Sequence, residues 1–371
     1  MLKVLNLPIH QVYLMMGYQC NLRCRYCIEH NVVNYAMPRE INPNIINWML
    51  DIANNISSLN ILFWGGEPLV YFDTMQKVVE MIKEKDINHN ISFSMVTNGK
   101  LLNDKTIPWI KENLKGFGLS WDGRNTERTR GYDVIKENKE NLFKLDDWRF
   151  TGVLSSFNYP KDYLDDCYEI EKEYGKEIYV NIDNLMQYED LPDAELKKFD
   201  ESKFYGQMRD ICDAYIDYYM NGTEINPNYI RWIEEEFQRI AEGKKTTRLY
   251  CGNGGEAINL DLQGNLYCCH GDIDPVGTIN DNYFDVLKNI NDKDNTIQHG
   301  IDGCNECPVQ VMCRNGCPKV PQHSRDEFYC TMNNLRFYPI LETYYEIERL
   351  KGEEFFQKLQ ENKKFKEREI K

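Results

Sequence analysis

Three cysteines stand within eight residues near the start of the chain, Cys20-x3-Cys24-x2-Cys27. Thiolates so spaced can wrap one face of a cubane iron–sulfur cluster and leave its fourth iron without a protein ligand. A partial zinc site is the other reading, but a structural zinc normally takes four protein ligands, and only His30 lies nearby. A larger set follows: Cys251-x12-Gly264-x4-Cys269, then Cys304-x2-Cys307-x5-Cys313-x3-Cys317, and Cys330 after twelve more residues. Taken alone, the pairs Cys304/Cys307 and Cys313/Cys317 could also build a tetrahedral zinc ribbon. Cys167 and Cys212 fall on the apolar stripes of expected helices and read as small core residues.

The 371-residue chain has 13 cysteines, 44 Lys and Arg, 59 Asp and Glu, and a net charge of −15. The acidic balance disfavours a nucleic-acid partner, because phosphate contacts need clustered Lys and Arg. No stretch approaches the ~18–20 apolar residues that span a bilayer, and Met1–Met16 lacks a signal-peptide pattern. A cytoplasmic location, where thiols stay reduced, is expected. An odd number of clustered cysteines there points to metal rather than disulfides.

The intervening chain alternates strand and helix. Strands are expected at Val12–Met16, Leu59–Trp64, Ile91–Val96, Phe117–Trp121, Phe150–Ser155 and Ile178–Ile182. Helices are expected at about Pro43–Ile56 (N-capped by Asn42), from a capping Asp73, and at about Asp104–Leu114, Asp133–Leu145 and Lys161–Tyr174. This pattern predicts an α/β fold with a parallel sheet and chemistry at the carboxyl ends of its strands. The first cysteine group, Gly65-Gly66-Glu67-Pro68, Thr97-Asn98-Gly99, and Ser120 with Asp122 fall at four successive strand ends.

Cys20-Asn-Leu-Arg-Cys24-Arg-Tyr26-Cys27 resembles the cluster loop of the radical S-adenosylmethionine (SAM) superfamily, and Gly65-Gly66-Glu67-Pro68 is similar to its methionine-binding segment. The resemblance implies a partial (β/α)6 TIM-like barrel. It also implies a cluster whose open iron chelates SAM and whose electron cleaves SAM to a 5′-deoxyadenosyl radical that abstracts an unactivated hydrogen. Cys20, Cys24 and Cys27 would bind the cluster, and the Tyr26 backbone would approach the adenine. Gly65 and Gly66 would pass close to the SAM ammonium, with Glu67 as countercharge. Thr97, Asn98, Ser120 and Arg130 are candidates for ribose and carboxylate contacts.

The later cysteine pattern, with Gly264, resembles the SPASM-type auxiliary-cluster domain found after such barrels. The resemblance implies two auxiliary [4Fe–4S] clusters, three in all. Cys304, Cys307, Cys313 and Cys330 would ligate the outer one; Cys251, Cys269 and Cys317 would hold the inner one. Its fourth ligand is open between Cys268, substrate and water, since adjacent residues on extended chain point to opposite faces. Sulfatase-maturating relatives carry an acidic base directly after the Cys269 equivalent. Here His270 stands there, with Asp272 two residues on, and both are candidates for a catalytic base.

The resemblance implies a peptide or protein substrate that is oxidised or crosslinked, as in ribosomal-peptide maturation. The alternatives are a sulfatase-maturase-like oxidase, a small-metabolite dehydrogenase or epimerase, and a non-catalytic zinc-binding interaction protein. A flavodoxin or ferredoxin would donate electrons. With strand one beginning by residue 12, a leader-recognition function is expected from a separate protein. The expected domains are a barrel over 1–186, a helical bridge over 187–250 with helices at about Gln207–Met220 and Asn228–Glu242, an auxiliary-cluster domain over 251–334, and a C-terminal helix over 335–371.

Overall fold

The computed structural model describes residues 9–29, 37–86, 90–186, 193–242, 256–282, 284–290, 303–317, 319–321, 325–352, 354–355 and 357. Cys251, His30 and most of the charged C-terminal tail lie outside the described residues. The chain forms two units. The first comprises Met1–Trp121, Thr126–Thr151 and Arg248–Gly300; the second comprises Asp122–Asn125, Gly152–Thr247 and Ile301–Lys371.

In the first unit, strands β1 (Gln11–Met15), β2 (Leu59–Trp64), β3 (Ile91–Thr97), β4 (Gly116–Ser120) and β5 (Trp148–Leu154, continuing into the second unit) alternate with helices. These are α1 (Pro43–Ala53), α2 (Phe72–Lys83), α3 (Thr106–Asn113), the short α4 (Thr126–Arg130) and α5 (Val134–Leu142). Neighbouring strands pair in parallel, with Gln11 opposite Asn60 and Leu59 opposite Ile91. Asn42 caps α1 by accepting from the Asn44 N–H at 3.0 Å, with Pro43 at the first helical position. Asp133 likewise caps α5. Asp73 does not cap α2: the helix begins at Phe72, after a 3-10 turn over Pro68–Tyr71, and Asp73 sits in its first turn, where a negative charge faces the helix's positive end.

The cysteine-rich segment adds strands that local pattern did not announce. β7 (Ala257–Asp261) pairs in parallel with β1, Gln11 opposite Ala257. β8 (Asn265–Tyr267) and β9 (Gly277–Thr278) follow antiparallel. Asp261 shapes the β7–β8 turn by accepting from the Gln263 and Asn265 N–H groups at 2.9 and 2.8 Å and from the Tyr267 hydroxyl at 2.9 Å. Gly264 occupies that turn at φ +97°, where a Cβ would also lie 3.0 Å from Ile279. The motif's glycine is thus a turn requirement.

The second unit is mostly helical. It contains α6 (Pro160–Tyr174), β6 (Tyr179–Asn184), α7 (Glu201–Asn221), α8 (Pro227–Glu242) and the C-terminal helix Cys330–Lys351, which starts five residues before its expected beginning. Phe237 of α8 anchors an aromatic cluster with Tyr215, Tyr344 and Phe355 at 5.3–5.6 Å between ring centroids. On α8 the buried stripe is Tyr229, Trp232, Ile233, Glu236 and Phe237, while Ile230 and Ile240 are half-buried. Cys167 and Cys212 have no exposed surface. Among the described residues, no helix is long and apolar enough to cross a membrane.

Candidate active site

The site grows from the seam between the ends of β1 and β2. Main-chain pairing continues past both strands: Met16 N–H donates to Trp64 O at 2.9 Å, Gly66 N–H to Gly17 O at 2.9 Å, and Glu67 N–H to Gln19 O at 3.0 Å. Gly65 adopts φ +122°, and a Cβ there would fall 2.3 Å from Gly17 O. A Cβ on Gly66 would lie 2.5 Å from both Tyr18 O and Gln19 O. The two glycines therefore bring the second-strand segment against the backbone leading into the cysteine loop. Tyr71 completes the seam: its hydroxyl accepts from the Gln19 N–H at 2.9 Å and occupies the space beside Gly17.

Glu67 fastens this seam to β3. One carboxylate oxygen accepts from the Leu69 N–H at 3.1 Å and the Thr97 hydroxyl at 2.7 Å; the other accepts from the Asn98 N–H at 2.8 Å. The side chain is buried, and burial pushes its carboxyl above the ordinary range while these three donors pull the other way. Asn98 extends the clasp by donating to Asn21 Oδ1 at 2.8 Å, with its amide nitrogen 4.0 Å from Cys20 Sγ. Thr97 Oγ1 also accepts from the Gly99 N–H at 3.1 Å. Thr97, Asn98 and Glu67 thus act together on the loop's position.

The far side of the loop is tied to α4, where the Arg25 N–H donates to Thr129 O at 2.8 Å. Tyr26 is buried, with the Arg130 guanidinium 5.2 Å from its ring centroid, and Arg130 is itself buried. Ser120 closes β4 opposite Thr151 and is half-buried. Within the loop, Cys20 Sγ accepts from the Leu22 N–H at 3.4 Å, and the Cys27 N–H donates to Cys24 O at 3.2 Å. Burial raises the Cys20 thiol to about 11, helped by Glu67, Cys24 and Glu29. Burial, then Glu29, raises Cys27 to about 12.

His270 and Asp272 follow β8 in the same unit. The Asp272 carboxylate accepts from the Cys269 N–H at 3.0 Å while its own N–H donates to Cys269 O at 3.0 Å, so the side chain closes a tight turn. The Tyr18 hydroxyl holds Asp272 O at 2.9 Å, joining this turn to the loop after β1. The His270 ring lies 4.9 Å from Trp64, with Nδ1 3.4 Å from the carboxylate of the buried Glu29. Cys268 is buried and Cys269 half-buried.

In the second unit, Cys304, Cys307, Cys313 and Cys330 act electrostatically on one another: burial first, then the other three thiols, raises Cys313 to about 12. Cys317 is on the same stretch, its N–H donating to the Tyr329 hydroxyl at 3.3 Å. Among the described residues no three His, Cys, Asp or Glu side chains converge as ligands of one metal ion. An iron–sulfur cluster spreads its thiolates over separate irons, and both all-sulfur donor sets fit such a group. Tyr71, Asn21, Glu29 and Tyr329 were not among the sequence-based candidates. Each acts through a contact distant in sequence and leaves no local pattern.

Residues 14–147 match the Radical SAM superfamily. The chain is 26% identical over 301 residues to the radical SAM cyclopropyl synthase TigE of Paramaledivibacter caminithermalis, a match covering 74% of this chain and 60% of that protein's length. It is 25% identical over 345 residues to the cysteine-type anaerobic sulfatase-maturating enzyme of Clostridium perfringens, covering 84% of this chain and 90% of the relative. Among solved structures, anSMEcpe with bound AdoMet and Cp18Cys peptide aligns with a TM-score of 0.69 at 19% identity, covering 91% of this chain and 99% of that one. The last likeness establishes the fold.

Proposed function

We propose that this chain, which carries a radical SAM domain over residues 14–147, modifies a peptide or protein by hydrogen abstraction, giving an oxidised or crosslinked product. The observation that carries the reading is alignment over nine-tenths of the length of a sulfatase-maturating enzyme, with a peptide-bound structure sharing the fold. With cluster and SAM bound, the cofactors supply a 5′-deoxyadenosyl radical. The protein's part is placement. Gly65, Gly66 and Tyr71 set the cysteine loop on the ends of β1 and β2. Glu67, Thr97 and Asn98 lock it to β3, and Arg130 with Tyr26 closes its other side.

Cys20, Cys24 and Cys27 would hold the SAM cluster, while Cys304, Cys307, Cys313 and Cys330 would hold an outer auxiliary cluster and Cys251, Cys269 and Cys317 an inner one. Ser120 is read as a SAM contact and His270 as the base. Asp272 is read as the turn that aims His270, because its carboxylate is engaged by the Cys269 N–H. The test is anaerobic purification with iron and sulfide analysis, for which three cubanes predict about twelve of each per chain. Reductive formation of 5′-deoxyadenosine should disappear in a Cys20/Cys24/Cys27→Ala variant, which should keep about two thirds of the iron. Deuterium transfer from a labelled candidate peptide into 5′-deoxyadenosine then tests the substrate class. Zinc in place of iron, or label transfer from small metabolites alone, would overturn the reading.

A further inference from the structure

Arg325 is the largest side chain in the molecule with under 2–3% of its surface exposed, and it lies at the start of a π-helical turn, Arg325–Tyr329, that runs directly into Cys330. Its guanidinium donates from Nε to Val320 O at 3.0 Å, from Nη1 to Asn315 O at 2.7 Å, and from Nη2 to Cys317 O. All its hydrogen-bond acceptors among the described residues are thus main-chain carbonyls of one loop, the loop that carries Cys317. Carbonyl dipoles solvate a cation but bring no opposite charge. A buried charge needs an opposite one nearby, since leaving it unbalanced costs several kcal/mol.

The groups positioned to provide that balance are thiols. The Arg325 charge acts on both Cys304 and Cys313, in each case opposing the rise that burial imposes. It also lies 5.8 Å from the ring of Tyr329, which neighbours Cys330 in sequence. As neutral thiols these cysteines balance nothing. As thiolates around an iron–sulfur core they outweigh the core's charge and form an anion.

We propose that Arg325 is a positioning residue and internal counter-ion of the outer cluster: its three carbonyl bonds hold the Cys317 loop, and its charge favours the cluster's reduced form. The inference rests on the reading that Cys304, Cys307, Cys313 and Cys330 hold that cluster. Reduction adds one electron to an already anionic, buried group, and a cation fixed beside it offsets the added charge. Charge and geometry can be separated, because lysine keeps the first and loses most of the second.

The experiment uses the full chain bearing Cys20/Cys24/Cys27→Ala, so that only auxiliary clusters titrate, reconstituted anaerobically with iron and sulfide. Potentiometric titration followed by electron paramagnetic resonance should show one midpoint moved to lower potential in Arg325→Gln and largely restored in Arg325→Lys. The other midpoint should be unchanged. Equal midpoints in a fully loaded Arg325→Gln chain would overturn the proposal, as would a lysine variant as low as the glutamine one. If Arg325→Gln takes up less cluster, thermal unfolding of the iron-free chains decides. An unbalanced cation predicts that iron-free Arg325→Gln unfolds no earlier than its iron-free parent, whereas an equally large loss with and without iron would reduce Arg325 to a structural strap and overturn its role as counter-ion. A parent chain that assembles no auxiliary cluster would instead count against the cluster reading.

Discussion

The loop after β1 and the cysteine-rich stretch of the second unit both place thiols on irregular chain, yet they are secured by opposite charges. A buried carboxylate, Glu67, gathers three donors around the first, and the buried Glu29 adds a second negative charge near its thiols. A buried guanidinium, Arg325, gathers three carbonyls around the second. The first setting raises the cost of extra negative charge at Cys20 and Cys27, which suits a site that receives a cationic ligand such as SAM. The second lowers that cost at Cys304 and Cys313, which suits a group that accepts an electron. A thiol count alone would have treated the two sites as equivalents.

The comparison breaks most severely at Gly66. The first loop is located by backbone against backbone, and Gly66→Ala would place a methyl 2.5 Å from two carbonyl oxygens that cannot move without moving the cysteines. A loss of about 3 kcal/mol in the iron-free chain is expected, together with loss of SAM binding by the reconstituted protein. Denaturant unfolding and SAM titration check both. An alanine variant with native stability would mean that the seam is looser than its distances state.

How much of this was readable beforehand depends on range. The alternation of β1–β5 with helices, the Asn42 cap with Pro43, and the Asp133 cap are local signals, and each appears where its residues place it. The glycines of Gly65-Gly66 were legible as a close approach, but the partner was not. Their nearest neighbours are Gly17, Tyr18 and Gln19, some fifty residues away in sequence. β7 was missed because its pairing with β1 is set by a strand almost 250 residues earlier. Arg325 carried no pattern at all: a lone arginine reads as surface until its burial is known.

A smaller effect sharpens the role of charge. Glu67→Gln keeps the shape of the clasp but replaces one acceptor oxygen with a donor amide facing groups that already donate. About 2 kcal/mol of stability should be lost, the range for hydrogen bonds to a charged group. The change should be visible in thermal unfolding of the iron-free chain, while the second unit's thiols take up iron as before. If both cysteine regions lost iron together, they would not be independently secured and the contrast between them would fail.

The smallest change tests what the second region needs beyond its cation. Tyr329 is buried, its ring fills the space beside Gly316, where a Cβ would lie 2.4 Å from it, and its hydroxyl accepts from the Cys317 N–H. Tyr329→Phe preserves the ring and removes only that acceptor. The Cys317 N–H would be left unpaired, costing about 1 kcal/mol, whereas the Arg325 bond to Cys317 O still anchors the same residue. Iron content should therefore stay at the parent level while the denaturation midpoint falls slightly. Loss of one cluster's worth of iron would place the hydroxyl on a par with the guanidinium. The second region would then depend on a neutral hydrogen bond as well as on charge, as the first depends on the Tyr71 hydroxyl at Gln19.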